Sequence, residues 1–179
     1  MRKKHLKLFV ILTLLLATIL PATSFAALPN PYYLAVAIFP NEENGICWAC
    51  CGASCINYVA DRDTTPYALC AYKGIYGPAP FSAVGDCLTH WGCVYNYTSS
   101  KPSFSTAKTS IAYGEPVIVA CTSDSQGHAV ELRGYYDGTN PSVSYMDPNF
   151  ASYQAQYYST FAVINGWPIT AAYYNPHPA

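Results

Sequence analysis

The sequence predicts an α+β fold in which a helical N-terminal half packs against an antiparallel β-sheet. Three observations predict it. Helix-like segments dominate residues 47–113 and strand-like segments follow them, the segregation expected of this class. Pro116-Val-Ile-Val-Ala-Cys121 is an unbroken apolar run of buried-strand length. Asp137-Gly138, a two-residue hairpin signal, separates the alternating segments 128–136 and 143–147.

The chain has 179 residues and only 11% charged residues, so a highly charged disordered chain is excluded. The formal net charge of −1 offers nothing to neutralise phosphates, and no nucleic-acid partner is expected. The N-terminus reads as an export signal. Arg2, Lys3, Lys4 and Lys7 precede the 13 uncharged residues Leu8 to Leu20, and Pro21 ends that run. Ser24-Phe25-Ala26 then places small residues at the −3 and −1 positions of a cleavage site. Thirteen apolar residues are short for a bilayer, which needs about 20. The expected organisation is a signal peptide over 1–26 and one domain over 27–179, secreted, without a stable membrane anchor, and monomeric. The mature chain of 153 residues keeps Arg62, Lys73, Lys101, Lys108 and Arg133 against ten acidic residues, a net charge of −5. A chain of that size can bury a proper core.

The elements follow in order. Residues 27–46 form an extended, Pro-punctuated arm that ends in a polar loop. Cys47 to Ala60 is small and apolar with no charge, as in a buried helix. Thr64-Thr65-Pro66 supplies an N-cap and a proline at the first turn of a short helix reaching Lys73. Ser82 to Trp91 reads as a third helix ended by Gly92, and Ser105 to Tyr113 as a fourth closed by Gly114. Val94 to Thr98 alternates as a strand. Residues 116–121, 128–136 and 143–147 are further strands, and the Tyr-rich remainder reads as strand plus tail.

Cys47 stands where the polar loop meets the first helix. The free N–H groups and dipole of a helix N-terminus stabilise a thiolate there. Cys47 is therefore the nucleophile candidate, with one end of a disulfide as its alternative. A base must come from four histidines. His5 lies in the signal segment, His177 in the C-terminal tail, and His90 near the end of a helix beside Trp91. His128 remains, opening the strand His128-Ala-Val-Glu-Leu-Arg-Gly-Tyr-Tyr136. Alternation puts His128, Val130, Leu132, Gly134 and Tyr136 on the apolar, core-facing side, and Ala129, Glu131, Arg133 and Tyr135 on the other. A turn centred on Asp137-Gly138 pairs Leu132 with Val143, Val130 with Tyr145 and His128 with Asp147. The loop residues Asn140-Pro141 allow a slip of about two residues, which still leaves Asp147 near His128. Cys47, His128 and Asp147 thus form a constellation of nucleophile, base and orienter. A side-chain amide is needed beside the Cys47 backbone N–H to complete an oxyanion hole. Asn41, six residues upstream, is the candidate, and Asn44 is closer but tightly turned.

At these residues the chain resembles the papain-like cysteine proteases, closest to bacterial secreted forms of the C39-like and AvrRpt2-like type. The resemblance runs through Asn44-Gly-Ile-Cys47-Trp48-Ala49-Cys50, Tyr113-Gly-Glu-Pro116-Val-Ile-Val, Gly127-His128-Ala-Val-Glu-Leu-Arg-Gly134-Tyr135 and Tyr145-Met-Asp147-Pro148, and covers about residues 30–165. It implies a papain-like fold, a peptide or protein substrate, no cofactor, and hydrolysis by a Cys-His-Asp triad through a thioester. The family usually carries Gln upstream of the cysteine, where this chain has only the shorter amide of Asn41. An inactive relative is the reading that departure leaves open. A cell-wall peptide amidase on a similar Cys-His scaffold and a disulfide-bonded binding or toxin-like module are the alternatives in other classes.

With Cys47 assigned to chemistry, Cys50, Cys51, Cys55, Cys70, Cys87, Cys93 and Cys121 remain. In an exported chain these predict three disulfides and one spare thiol, with helix cysteines bridging to partners elsewhere. The Cys-x2-Cys-Cys-x3-Cys spacing is thiolate-rich but lacks paired CxxC knuckles, so no metal is expected.

Overall fold

A computed structural model describes residues 27–42, 45–122 and 127–179. The predicted signal segment 1–26 and Asn44 lie outside the described residues. Strand β1 (Tyr32–Tyr33) is followed by helices α1 (Cys47–Ala60), α2 (Pro66–Lys73) and α3 (Ser82–His90), strand β2 (Cys93–Thr98) and helix α4 (Phe104–Ala112). Strands β3 (Val117–Thr122), β4 (Gly127–Tyr136), β5 (Ser142–Asp147), β6 (Ser152–Tyr157), β7 (Val163–Ile164) and β8 (Trp167–Pro178) complete the chain. The architecture is α+β, with N-terminal helices packed on an antiparallel sheet.

Local chemistry accounts for the helix ends. Thr65 caps α2 by accepting the Ala68 N–H, Pro66 occupies the first turn, and Gly74 in the left-handed region ends the helix. Ser103 caps α4 in the same way through Thr106 N–H. Helix α1 has no side-chain cap of its own at Ile46, and residues Cys47 to Ile56 are all buried. Its packing, rather than its propensity, holds it. Gly52 makes close packing possible, since a Cβ there would stand 2.7 Å from Leu69 Cδ2 of α2.

The sheet runs β2-β8-β3-β4-β5-β6, with β1 added to β4 and β7 paired to β8. The C-terminal segment is therefore no tail. Strand β8 is inserted between β2 and β3, and pairs with both. Strand β4 is covered on both faces: Ala129, Glu131 and Tyr135 are as buried as Val130 and Leu132. That corrects the one-sided alternation, because α1 and α4 both pack against this strand. The β4–β5 register places Leu132 opposite Tyr145 and Glu131 opposite Met146, with a bulge between Leu132 and Gly134. The longer connection pairs Tyr136 with Ser142, a slip of three from the register centred on Asp137-Gly138, and the bulge takes back one, leaving a slip of two at Leu132 and Glu131. An even slip keeps every side chain on its face, so Asp147 stays on the His128 side, one same-face step along.

The eight cysteines form no disulfide, and all are buried. The three expected bridges are without support in the structure. Cys50, Cys51, Cys55, Cys70 and Cys87 sit fully inside the core cluster as small apolar side chains. Some expected partners do come near one another: Cys93 raises the pKa of Cys55, and Cys70 raises those of Cys50 and Cys87. Burial, the larger cause, pushes the Cys50, Cys87 and Cys121 thiols up to about 12 and keeps them protonated.

Candidate active site

Three elements converge on the site. Helix α1 contributes Cys47 at its first turn, β4 contributes His128 at its second residue, and β5 contributes Asp147 at its last. His128 Nε2 is 2.8 Å from Asp147 Oδ1, with both side chains 1% exposed. Cys47 lines the same small cavity as the imidazole, and its sulfur favours the charged ring. Nε2 is occupied by the carboxylate, so Nδ1 is the nitrogen left for proton transfer. Burial disfavours the imidazolium, but the hydrogen bond to Asp147 and the negative charge of Cys47 and Asp147 outweigh it. Together they raise the His128 pKa to about 9. At neutral pH the ring is thus held protonated between a carboxylate and a sulfur.

The Cys47 and Trp48 N–H groups open α1 and have no acceptor within the helix. They therefore remain for an oxygen developing beside the sulfur. Trp48 Nε1–H donates to Gly77 C=O at 2.9 Å, which pins the 74–80 loop over the site. A small cavity of about 80 Å³ lies against Cys47 and His128, walled by Trp48, Pro78, Ala79 and Phe81. Its walls are mostly apolar, as suits an uncharged side chain. A roomier, open depression of about 420 Å³ lies around Arg62, His90 and Trp91, beyond the far end of α1. It contains no nucleophile, so the smaller cavity is the one that bears on chemistry.

Of the four residues singled out in the sequence, the structure brings Cys47, His128 and Asp147 together. Asn41 sits on the segment leading into α1. Its Oδ1 accepts the Ile46 N–H at 3.2 Å, and its Nδ2 donates to Asn149 Oδ1 at 2.7 Å. Two neighbours of the site escaped the sequence reading. Trp167, at the start of β8, packs edge-on against His128 with ring centroids 6.4 Å apart. Asn149 stands 3.5 Å from His128 Nδ1 through its Nδ2. The signal for Asn149 was its place two residues after Asp147, which looks the same as an ordinary turn residue. Among the described residues no group of His, Cys, Asp and Glu is arranged to hold a metal ion.

A family model described as the Peptidase_C39 like family matches residues 40–174. The chain belongs to that family. As a member of this C39-like cysteine peptidase family it is an enzyme, and the papain-like resemblance of its motifs is accounted for. Its fold is also that of the peptidase domain of Streptococcus ComA, described as a bi-functional ABC transporter involved in a quorum-sensing pathway. The two are 14% identical with a TM-score of 0.58, over 83% of this chain and 99% of that one. At that identity the likeness concerns the fold alone. No curated protein is a significant match.

Proposed function

We propose that this C39-like peptidase is exported and hydrolyses peptide bonds through a thioester, with Cys47 as nucleophile, His128 as base and acid, and Asp147 as the orienter. The observation that carries the reading is the buried His128–Asp147 pair with Cys47 on the same small cavity as the ring. Cys47 attacks the scissile carbonyl. The imidazolium at His128 then gives its Nδ1 proton to the leaving amine, and its neutral form later draws a proton from the water that opens the thioester. Asp147 holds Nε2–H, so Nδ1 is the nitrogen that works. The oxyanion is received by the Cys47 N–H and the Asn41 amide. Export is supported by the basic, apolar and small-residue order of residues 2–26, and residues 27–179 form the mature domain. An uncharged peptide segment suits the apolar walls of the cavity beside Cys47.

The test compares wild type with Cys47→Ala, using a broad peptide library and an epoxide thiol-protease inhibitor. Wild type is expected to cleave peptides and to carry the inhibitor on Cys47, and the variant to do neither. A wild-type chain that does not react at Cys47 and cleaves no peptide would sink the reading.

A further inference from the structure

Asn149 has no part in the mechanism above, yet the two segments bordering the site meet on it. It follows Asp147-Pro148, just after β5 ends. Its backbone N–H donates to Asp147 Oδ1 at 3.0 Å, the same oxygen that pairs with His128 Nε2. Its side-chain Oδ1 accepts from Asn41 Nδ2 at 2.7 Å, and its own Nδ2 is 3.5 Å from His128 Nδ1. One residue earlier, the Pro148 C=O accepts the Asn41 backbone N–H at 2.9 Å. Two hydrogen bonds therefore join the turn after β5 to the segment before α1, and both end on Asn41.

Their consequence lies in the polarity of an amide. A side-chain amide fits almost equally well with its oxygen and nitrogen exchanged, so its partners decide which end points where. At Asn41 the Oδ1 faces a donor, the Ile46 N–H at 3.2 Å, and the Nδ2 faces an acceptor, Asn149 Oδ1. The Ile46 N–H, a donor that cannot turn round, fixes the Asn41 Oδ1 on its side, and Asn149 Oδ1 accepts from the Nδ2 that this leaves facing it. One Nδ2 proton is spent on Asn149, and the second has no partner among the described residues. An amide one methylene shorter than glutamine has little reach of its own, and the β5 turn braces it.

We propose that Asn149 is a positioning residue: it locks the Asn41 amide with an N–H directed to the reaction centre and ties that donor to the His128–Asp147 pair. The inference rests on the peptidase reading and deepens it. It separates two reactions of the same sulfur. Hydrolysis of an amide develops an oxyanion and needs the Asn41 donor. Alkylation by iodoacetamide does not: the sulfur displaces iodide from a saturated carbon and no oxyanion forms.

The experiment measures both reactions on the full chain, with fluorescein-labelled casein as the peptide substrate and mass-spectrometric readout of iodoacetamide at Cys47. Asn149→Ala is expected to lower kcat on casein about 10-fold, with KM and the alkylation rate within about twofold of wild type. An unchanged kcat in Asn149→Ala, or an alkylation rate that falls in step with it, overturns the inference alone. A wild-type chain that neither cleaves casein nor alkylates at Cys47 overturns the peptidase reading, and the inference with it.

Discussion

Replacing Glu131 by Gln tests how the core of this protein tolerates a buried acid. Glu131 lies in the middle of β4 and is fully buried. Neither carboxyl oxygen has a hydrogen-bond partner among the described residues. Ser54 is close enough to favour the charged form, but its hydroxyl donates to Ala37 C=O. Arg133 also favours the charge, although its Nε–H is given to Leu34 C=O and its guanidinium lies over Tyr153, 3.9 Å from the ring centroid. Burial prevails and raises the Glu131 pKa from 4.5 to about 8. A folded-state pKa above the unfolded one means that the folded chain binds the proton more tightly. The resulting stability is complete below pH 4.5 and is lost as pH rises towards 8. At about 1.4 kcal/mol per pH unit, the loss between pH 4.5 and 7 is roughly 3 kcal/mol. With an m-value of about 2 kcal/mol/M, that lowers the urea midpoint by roughly 1.5 M. His128 contributes a slope of the same sign, because its pKa is also raised, but over the window from 6.5 to about 9. The difference between wild type and Glu131→Gln cancels that contribution. The assay is urea unfolding of both chains from pH 4.5 to 8. The Gln variant should match wild type within about 1 kcal/mol at the acid end and exceed it by several kcal/mol at pH 8. Parallel curves for the two chains would refute the reasoning, since they would mean that Glu131 does not titrate inside the core.

Two further outcomes follow from the site. Asp147→Asn removes the main partner that keeps the His128 pKa high. The alkaline limb of kcat/KM, set in wild type by loss of the imidazolium near pH 9, should move to lower pH, and the plateau should fall on the order of 100-fold or more. An unshifted limb in a pH–rate profile would exclude this role for the carboxylate. Gly45→Ala strains the turn into α1 twice over, because φ is +97° and the new Cβ would stand 2.6 Å from Pro78 Cδ. A cost of about 1–3 kcal/mol predicts a melting temperature lowered by roughly 2 °C or more, and calorimetry on the two chains checks it.

The chemistry-bearing residues were legible because each carries a local signature. Cys47 opens an uncharged helix after a polar loop, His128 opens an alternating strand, and Asp147 closes the next strand before a proline. The extents of α1 and α2 were legible too, from composition and from the Thr65-Pro66 cap. Such features depend on residues within a few positions of one another, where helix and turn preferences act.

The features that only the tertiary structure decided depend on distant partners. The Tyr-rich C-terminal remainder read as strand plus tail, and only the structure shows the 12-residue β8 in place between β2 and β3, because strand order is set by how the sheet closes over the helices. Glu131 looked like a solvent-facing residue of an alternating strand, but Ser54 of α1 lies beside it and Lys108 of α4 lies over Tyr135, so alternation does not separate inside from outside there. Cysteine counting suggested bridges, but a count does not say which thiols meet in the geometry that a bridge requires, and the structure holds all eight as buried thiols. Asn149 became visible only when the turn after β5 came to lie against the segment before α1, 108 residues away in sequence at Asn41. Sequence by itself therefore determined which side chains can react and on which elements they stand. Packing across long separations determined what they face: which groups are neutral, which nitrogen of His128 is open, and which amide braces the site.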